Sequence, residues 1–180
     1  MKWAYLKPGT ELYRPTIQLE PGDIFLTRNA GDNEEEDNAT PGYWNHAAMY
    51  VGNDYVVEAQ AEPDAVIYAD LDEFWTRYPL IKVLRYPAPR ETRVNMARHA
   101  IALIGVSYAK LASIFFKKRK FRTRRGENCV STVRKAVMMA TGRDPRWHTP
   151  DGIAEDKSLT EIVERNELVT DKANIMIHRE

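Results

Sequence analysis

His46-Ala47-Ala48-Met49-Tyr50-Val51, then Gly52-Asn53-Asp54, then Tyr55-Val56-Val57-Glu58-Ala59-Gln60 reads as two strands joined by a tight turn. β-Branched and aromatic residues dominate both arms, and Gly and Asn between them tolerate the positive φ that such turns need. If Val51 pairs with Tyr55, His46 lies opposite Gln60 and diagonal to Glu58, with all three on one face. Diagonal neighbours start about 7–8 Å apart, within reach of a long carboxylate and an imidazole. A one-residue change in the turn would send Glu58 to the other face. A carboxylate set among Val56, Val57 and Ala59 needs a polar partner if it is buried, and His46 is the one that the hairpin supplies.

Outward from the hairpin, Pro21-Gly22 marks a turn, and Asp23 to Thr27 a short buried strand. Gly31 to Asp37 holds five acids and no apolar residue, a solvated loop. Val66 to Tyr68 reads as a strand, Asp70 to Tyr78 as a helix with an acidic cap, and Ile81 to Arg85 as a strand ended by Pro87 and Pro89. Thr92 to Ile104 carries Val94, Ala97, Ile101 and Ile104 at helical spacing before Gly105. Cys129 to Ala140 repeats that pattern, with Asn128 as its N-cap and Gly142 past its end, and a last helix is expected over Leu159 to Arg165. Strands early and helices late predict an α+β fold, and 180 residues at 43% hydrophobic fit one domain over residues 1–180.

Twenty-six basic residues balance 26 acidic ones, so bulk charge predicts no nucleic-acid partner. No run approaches transmembrane length, and the N-terminal stretch has no apolar segment of signal-peptide length. A cytoplasmic protein is expected, with export by a route invisible in the sequence as the alternative. The single cysteine excludes an intrachain disulfide, and no cofactor or metal site is expected.

That cysteine, Cys129, lies in Glu127-Asn128-Cys129-Val130-Ser131 at the start of a helical pattern. A cysteine in the first turn of a helix has its thiolate favoured by the helix dipole. One Cys, one His and one acid, distant in sequence but able to converge, are the minimum for thiol catalysis. The bland alternative is a small buried cysteine and a satisfied core histidine.

Pro21-Gly22-Asp23-Ile24-Phe25-Leu26, His46 to Gly52, and Val57-Glu58-Ala59 together resemble the strand core of the NlpC/P60 superfamily of papain-like thiol enzymes. Glu58, twelve residues after His46 and followed by a small residue, resembles that superfamily's polar third residue. Ordinary members place the Cys helix before this block, whereas Cys129 follows it. That order is similar to the circularly permuted branch, which includes YiiX/YebB-like and lecithin:retinol acyltransferase-like proteins. Gly105-Val106-Ser107-Tyr108 and His148-Thr149-Pro150-Asp151 resemble further elements of the YiiX-like group. Cys129-Val130-Ser131 departs from the Cys-Ser-Glu common there.

The resemblance implies an antiparallel sheet or small barrel packed against helices, among them the Cys-bearing one. It implies Cys129 as nucleophile, His46 as base and Glu58 as the residue orienting His46, with the Cys129 backbone N–H helping to hold an oxyanion. Tyr108 resembles a substrate-pocket tyrosine. Asn45 and Gln60 compete for supporting polar roles, His148 borders the site on this reading, and His99 and His178 read as surface residues.

The expected activity is amide hydrolysis of a small peptide or a cell-wall-derived peptide through an acyl-thioenzyme. The alternatives are lipid ester hydrolysis or acyl transfer at the same triad, and a non-catalytic binding module. Seven of the nine residues from Lys117 to Arg125 are basic. They read as a solvated loop, with peripheral contact to an anionic surface through Lys117, Lys118, Arg119 and Lys120 as the secondary possibility.

Overall fold

In the computed structural model, the structure describes residues 18–28, 42–60, 63–107 and 126–166. Six strands, β1 (Ile24–Arg28), β2 (His46–Gly52), β3 (Tyr55–Gln60), β4 (Ala65–Asp70), β5 (Leu80–Arg85) and β6 (Thr160–Asn166), form one sheet ordered β4-β3-β2-β1-β5-β6. Every neighbouring pair is antiparallel. Among the described residues, four helices accompany it: α1 (Leu71–Arg77), α2 (Arg90–Ile101), α3 (Gly126–Thr141) and α4 (Pro150–Ala154). The α+β expectation is met, with an open rather than a closed sheet among the described residues.

Strand alternation divides the core into two layers. Ile24, Leu26, Ala47, Met49, Val57 and Ala59 face one way, against Met96 and Ala100 of α2 and Val130, Val133 and Val137 of α3. Phe25, Ala48, Tyr50 and Val56 face the other way, against Leu71, Phe74 and Trp75 of α1. Phe74 and Trp75 meet the Phe25 ring edge-on, at 5.5 and 6.2 Å between centroids. Burying each such side chain contributes about 1.5–3 kcal/mol, so α1 is held by three side chains despite its seven residues. Its N-terminus is fixed by the Asp70 carboxylate, which accepts from the Asp72 and Glu73 amides as the sequence predicts.

Three expectations need correction. Residues 159–165 do not form a helix: Thr160 to Asn166 is strand β6, paired with β5. Its β-branched Thr160, Ile162 and Val163 suit a pleated edge, and the free side of β5 supplies the partner. The third helix starts at Gly126 rather than at Cys129, so Asn128 is not its N-cap. Thr149 caps α4 by accepting from the Gly152 amide. In the hairpin, Gly52 opposes Tyr55 and the register shifts at Val51.

The segment leading into β2 is clamped from the far end of the chain. Asp151, on α4, accepts from the amides of Tyr43 and Trp44, each at 2.9 Å. Gly42, at φ +126°, lies against that carboxylate so closely that a Cβ would sit 1.6 Å from Asp151 Oδ2. Beside β1, Arg85 grips the buried Asp23 with two bonds of 2.8 Å and reaches Glu20 at 2.7 Å.

Candidate active site

The bulge at Val51 leaves the rest of the hairpin in the predicted register, with Ala48 opposite Glu58. His46 therefore sits two residues along and one strand across from Glu58, on the same face. The two side chains meet: Glu58 Oε2 lies 2.8 Å from His46 Nε2. Glu58 is fully buried, and the mostly buried imidazole leaves 14% of its side chain exposed.

The second Glu58 oxygen is taken by a residue that the sequence reading missed. Arg77, at the end of α1, donates from Nη1 to Glu58 Oε1 at 2.9 Å while its side chain stays 41% exposed. The next residue, Tyr78, stacks on the His46 ring at 5.7 Å and 23°. Arg77 in turn lies over the Tyr78 ring at 5.8 Å. The imidazole is thus held at one nitrogen by Glu58 and on one face by Tyr78. Gln60 turns its amide towards Glu58, near enough to favour the ionised carboxylate, yet its buried Nε2 falls short of a formed hydrogen bond.

Cys129 completes the cluster from α3. It packs in the α2–α3 layer, 1% exposed, and lies near enough to the His46 imidazole to favour its protonation. Glu58 belongs to the opposite layer, so the meeting point is the end of β2, where His46 is the first strand residue. With Nε2 committed to Glu58, Nδ1 is the ring nitrogen that serves the thiol.

The electrostatics follow from these contacts. Burial opposes protonation of His46, but Tyr78, Cys129 and Glu58 together outweigh it and push the imidazole well above its ordinary 6.5. Burial likewise opposes ionisation of Glu58, yet the bond to His46 and the charges of His46 and Arg77 hold its carboxyl below the ordinary 4.5. The arrangement thus favours a protonated imidazole between two acceptors of positive charge, the state in which a histidine can accompany a thiolate.

The structure brings Cys129, His46 and Glu58 together and leaves other predicted residues elsewhere. Asn45 bonds the Thr27 carbonyl through its backbone amide. His148 is exposed and lies 3.5 Å from Arg134, whose fork holds Asp144 at 2.6 and 2.7 Å. His99 is half-buried on α2. Tyr108, His178, the acidic stretch 31–37 and the basic stretch 117–125 lie outside the described residues. A wholly buried glutamate with only a histidine to satisfy it was the signal that a cation such as Arg77 was still to be found.

The family model of the permuted papain-like amidase enzymes (YaeF/YiiX, C92 family) matches residues 18–120, a span that includes His46 and Glu58 but ends before Cys129. A search of curated proteins gives no match. Among solved structures, YiiX of Escherichia coli O157:H7, described as a metalloprotein, aligns with a TM-score of 0.63 at 17% identity. The alignment covers 83% of this chain and 99% of that one, and at such identity it speaks for the fold. Among the described residues, no group of three or more His, Cys, Asp or Glu is placed to hold a metal ion.

Proposed function

Because this chain belongs to the permuted papain-like amidase family of YaeF and YiiX, and so is a cysteine hydrolase of the papain-like kind, we propose that it cleaves an amide bond of a small peptide or cell-wall-derived peptide with Cys129, His46 and Glu58. The observation that carries this reading is the imidazole of His46, bonded to Glu58 at 2.8 Å and lying beside the buried Cys129. Cys129 Sγ attacks the carbonyl carbon as a thiolate, and its proton resides on His46. The tetrahedral intermediate collapses, the C–N bond breaks, and the imidazolium gives its proton to the departing amine. A water deprotonated by His46 then splits the thioester, releasing the acid and restoring the thiol. Glu58 holds the ring and balances its charge throughout.

The backbone amide of Cys129, in the first turns of α3, is the expected donor to a developing oxyanion.

The test is hydrolysis of murein-type peptides against short-chain and lipid esters, with Cys129→Ala as control. Peptide turnover that vanishes in Cys129→Ala is expected. Ester turnover alone would replace the amide reading by the acyl-transfer one, and activity surviving in Cys129→Ala would refute the site.

A further inference from the structure

The cluster has a charge problem that three residues do not solve. In the thiolate–imidazolium state Cys129 and Glu58 each carry a negative charge and His46 a positive one, which leaves one negative charge in a buried site. Burying an uncompensated charge is expensive, and a site left in that condition takes up a proton instead. Among the described residues, three polar groups face Glu58: His46 from β2, Arg77 at the end of α1, and Gln60 on its own strand, while Tyr78 stacks on the His46 ring. Its cross-strand neighbours Ala48 and Ile67 are apolar. From α3 it is Cys129 that meets the imidazole. Of these, only Arg77 brings a permanent positive charge.

We infer that Arg77 is a fourth, positioning member of the site, whose guanidinium keeps Glu58 ionised and aimed at His46 and cancels the charge left over when the thiolate–imidazolium pair forms. This rests on the triad proposed above. Arg77 touches no reacting atom. It acts by fixing one carboxylate oxygen at 2.9 Å, which leaves the other oxygen a single direction in which to face the ring at 2.8 Å. Tyr78 follows Arg77 directly, so the end of α1 sets both the charge and the face of the imidazole. Arg77 remains 41% exposed, so its charge adjusts the site without the desolvation cost of a wholly buried cation.

The experiment is the pH dependence of Cys129 alkylation by iodoacetamide from pH 4 to 10. The chain has no other cysteine, so bound label reports this sulfur alone. Cys129 is 1% exposed, and limited access scales the rate equally at every pH. The inflections, not the absolute rate, are therefore the readout. Removing a positive charge makes every proton at the site harder to lose. Arg77→Gln is thus expected to move both inflections, ion-pair formation and loss of the imidazolium proton, to higher pH by about half to one pH unit. Arg77→Lys keeps the charge and is expected to stay close to wild type.

A purely structural Arg77 would change the amplitude and leave the inflections in place, and that result overturns the inference. So does an Arg77→Lys shift as large as that of Arg77→Gln. Arg77→Met carries the same test if Arg77→Gln is too unstable to handle. His46→Ala separates the two levels. A profile insensitive to His46→Ala refutes the triad itself, whereas sensitivity to His46→Ala with indifference to Arg77→Gln refutes the role of Arg77 alone.

Discussion

Replacing Glu58 by glutamine tests the site through hydrogen-bond direction rather than size. A glutamine at position 58 has one acceptor oxygen and one donor NH2, yet faces two partners that both ask for an acceptor: Arg77 Nη1 at 2.9 Å and a protonated His46 Nε2 at 2.8 Å. The oxygen goes to the guanidinium, because a hydrogen bond with a charged donor contributes about 1.5–3 kcal/mol against about 0.5–1.5 kcal/mol for a neutral pair. A preference of about 1 kcal/mol, roughly fivefold, then turns the NH2 towards His46. Nε2 becomes an acceptor, the ring proton moves to Nδ1, and the nitrogen facing Cys129 can no longer take a proton. In a serine protease triad the comparable acid-to-amide change lowers kcat about 10⁴-fold.

Glu58→Gln is therefore expected to abolish the rapid alkylation of Cys129 near neutral pH, at a folding cost of about 2 kcal/mol for one charge-assisted bond. The double variant Glu58→Gln/Arg77→Met removes the competing donor and lets the amide oxygen accept from His46. It is expected to alkylate faster at neutral pH than Glu58→Gln alone, although it carries more substitutions. A single variant with the wild-type profile, or a double variant no faster than the single, would refute the reasoning.

Two further outcomes follow from the same geometry and from the clamp beneath it. His46 titrates above its ordinary 6.5 in the folded chain, so its contribution to stability is complete below pH 6.5 and fades as pH rises through the folded value. Glu58 titrates below its ordinary 4.5, so its contribution is complete above pH 4.5 and fades as pH falls through the folded value. The difference in Tm between wild type and His46→Ala is thus expected to be greatest from pH 4.5 to 6.5. A difference that grows steadily to pH 9 would contradict the coupling. Separately, Gly42→Ala sets a methyl group 1.6 Å from Asp151 Oδ2 and displaces the carboxylate that holds the Tyr43 and Trp44 amides. A loss of about 2–4 kcal/mol is expected in denaturant titration, and unchanged stability would show that the clamp contributes nothing.

Much of this was legible in the sequence because it is local. The β2–β3 hairpin could be read from its alternation and its Gly-Asn turn, the Asp70 cap from one acid before Leu71, and the Cys129 helix from its apolar face. The alignment of His46 with Glu58 survived even the unforeseen bulge at Val51, because the bulge lies on the turn side of both residues. What escaped depends on distant partners. Thr160 to Asn166 is a strand because β5 has an open side, and nothing within those seven residues announces that side. Arg77 lies nineteen positions after Glu58 on a separate element, and its spacing is that of an ordinary helix-terminal cation. The Asp151 clamp joins positions 107 and 108 residues apart. Such pairings are products of tertiary approach, beyond the reach of periodicity.

The clamp also bears on the order in which the molecule is made. Synthesis runs from the N-terminus, so the base and its acid are in place long before the nucleophile, and the carboxylate that secures the segment before His46 arrives later still. A chain halted before α3 has an imidazole and a carboxylate but no sulfur to activate. Both the α3 layer and the Asp151 tether close very long loops, whose entropic cost falls due before their contacts form. The permuted order thus acts as a natural delay: the nascent chain carries no assembled thiol centre until α3 has been synthesised.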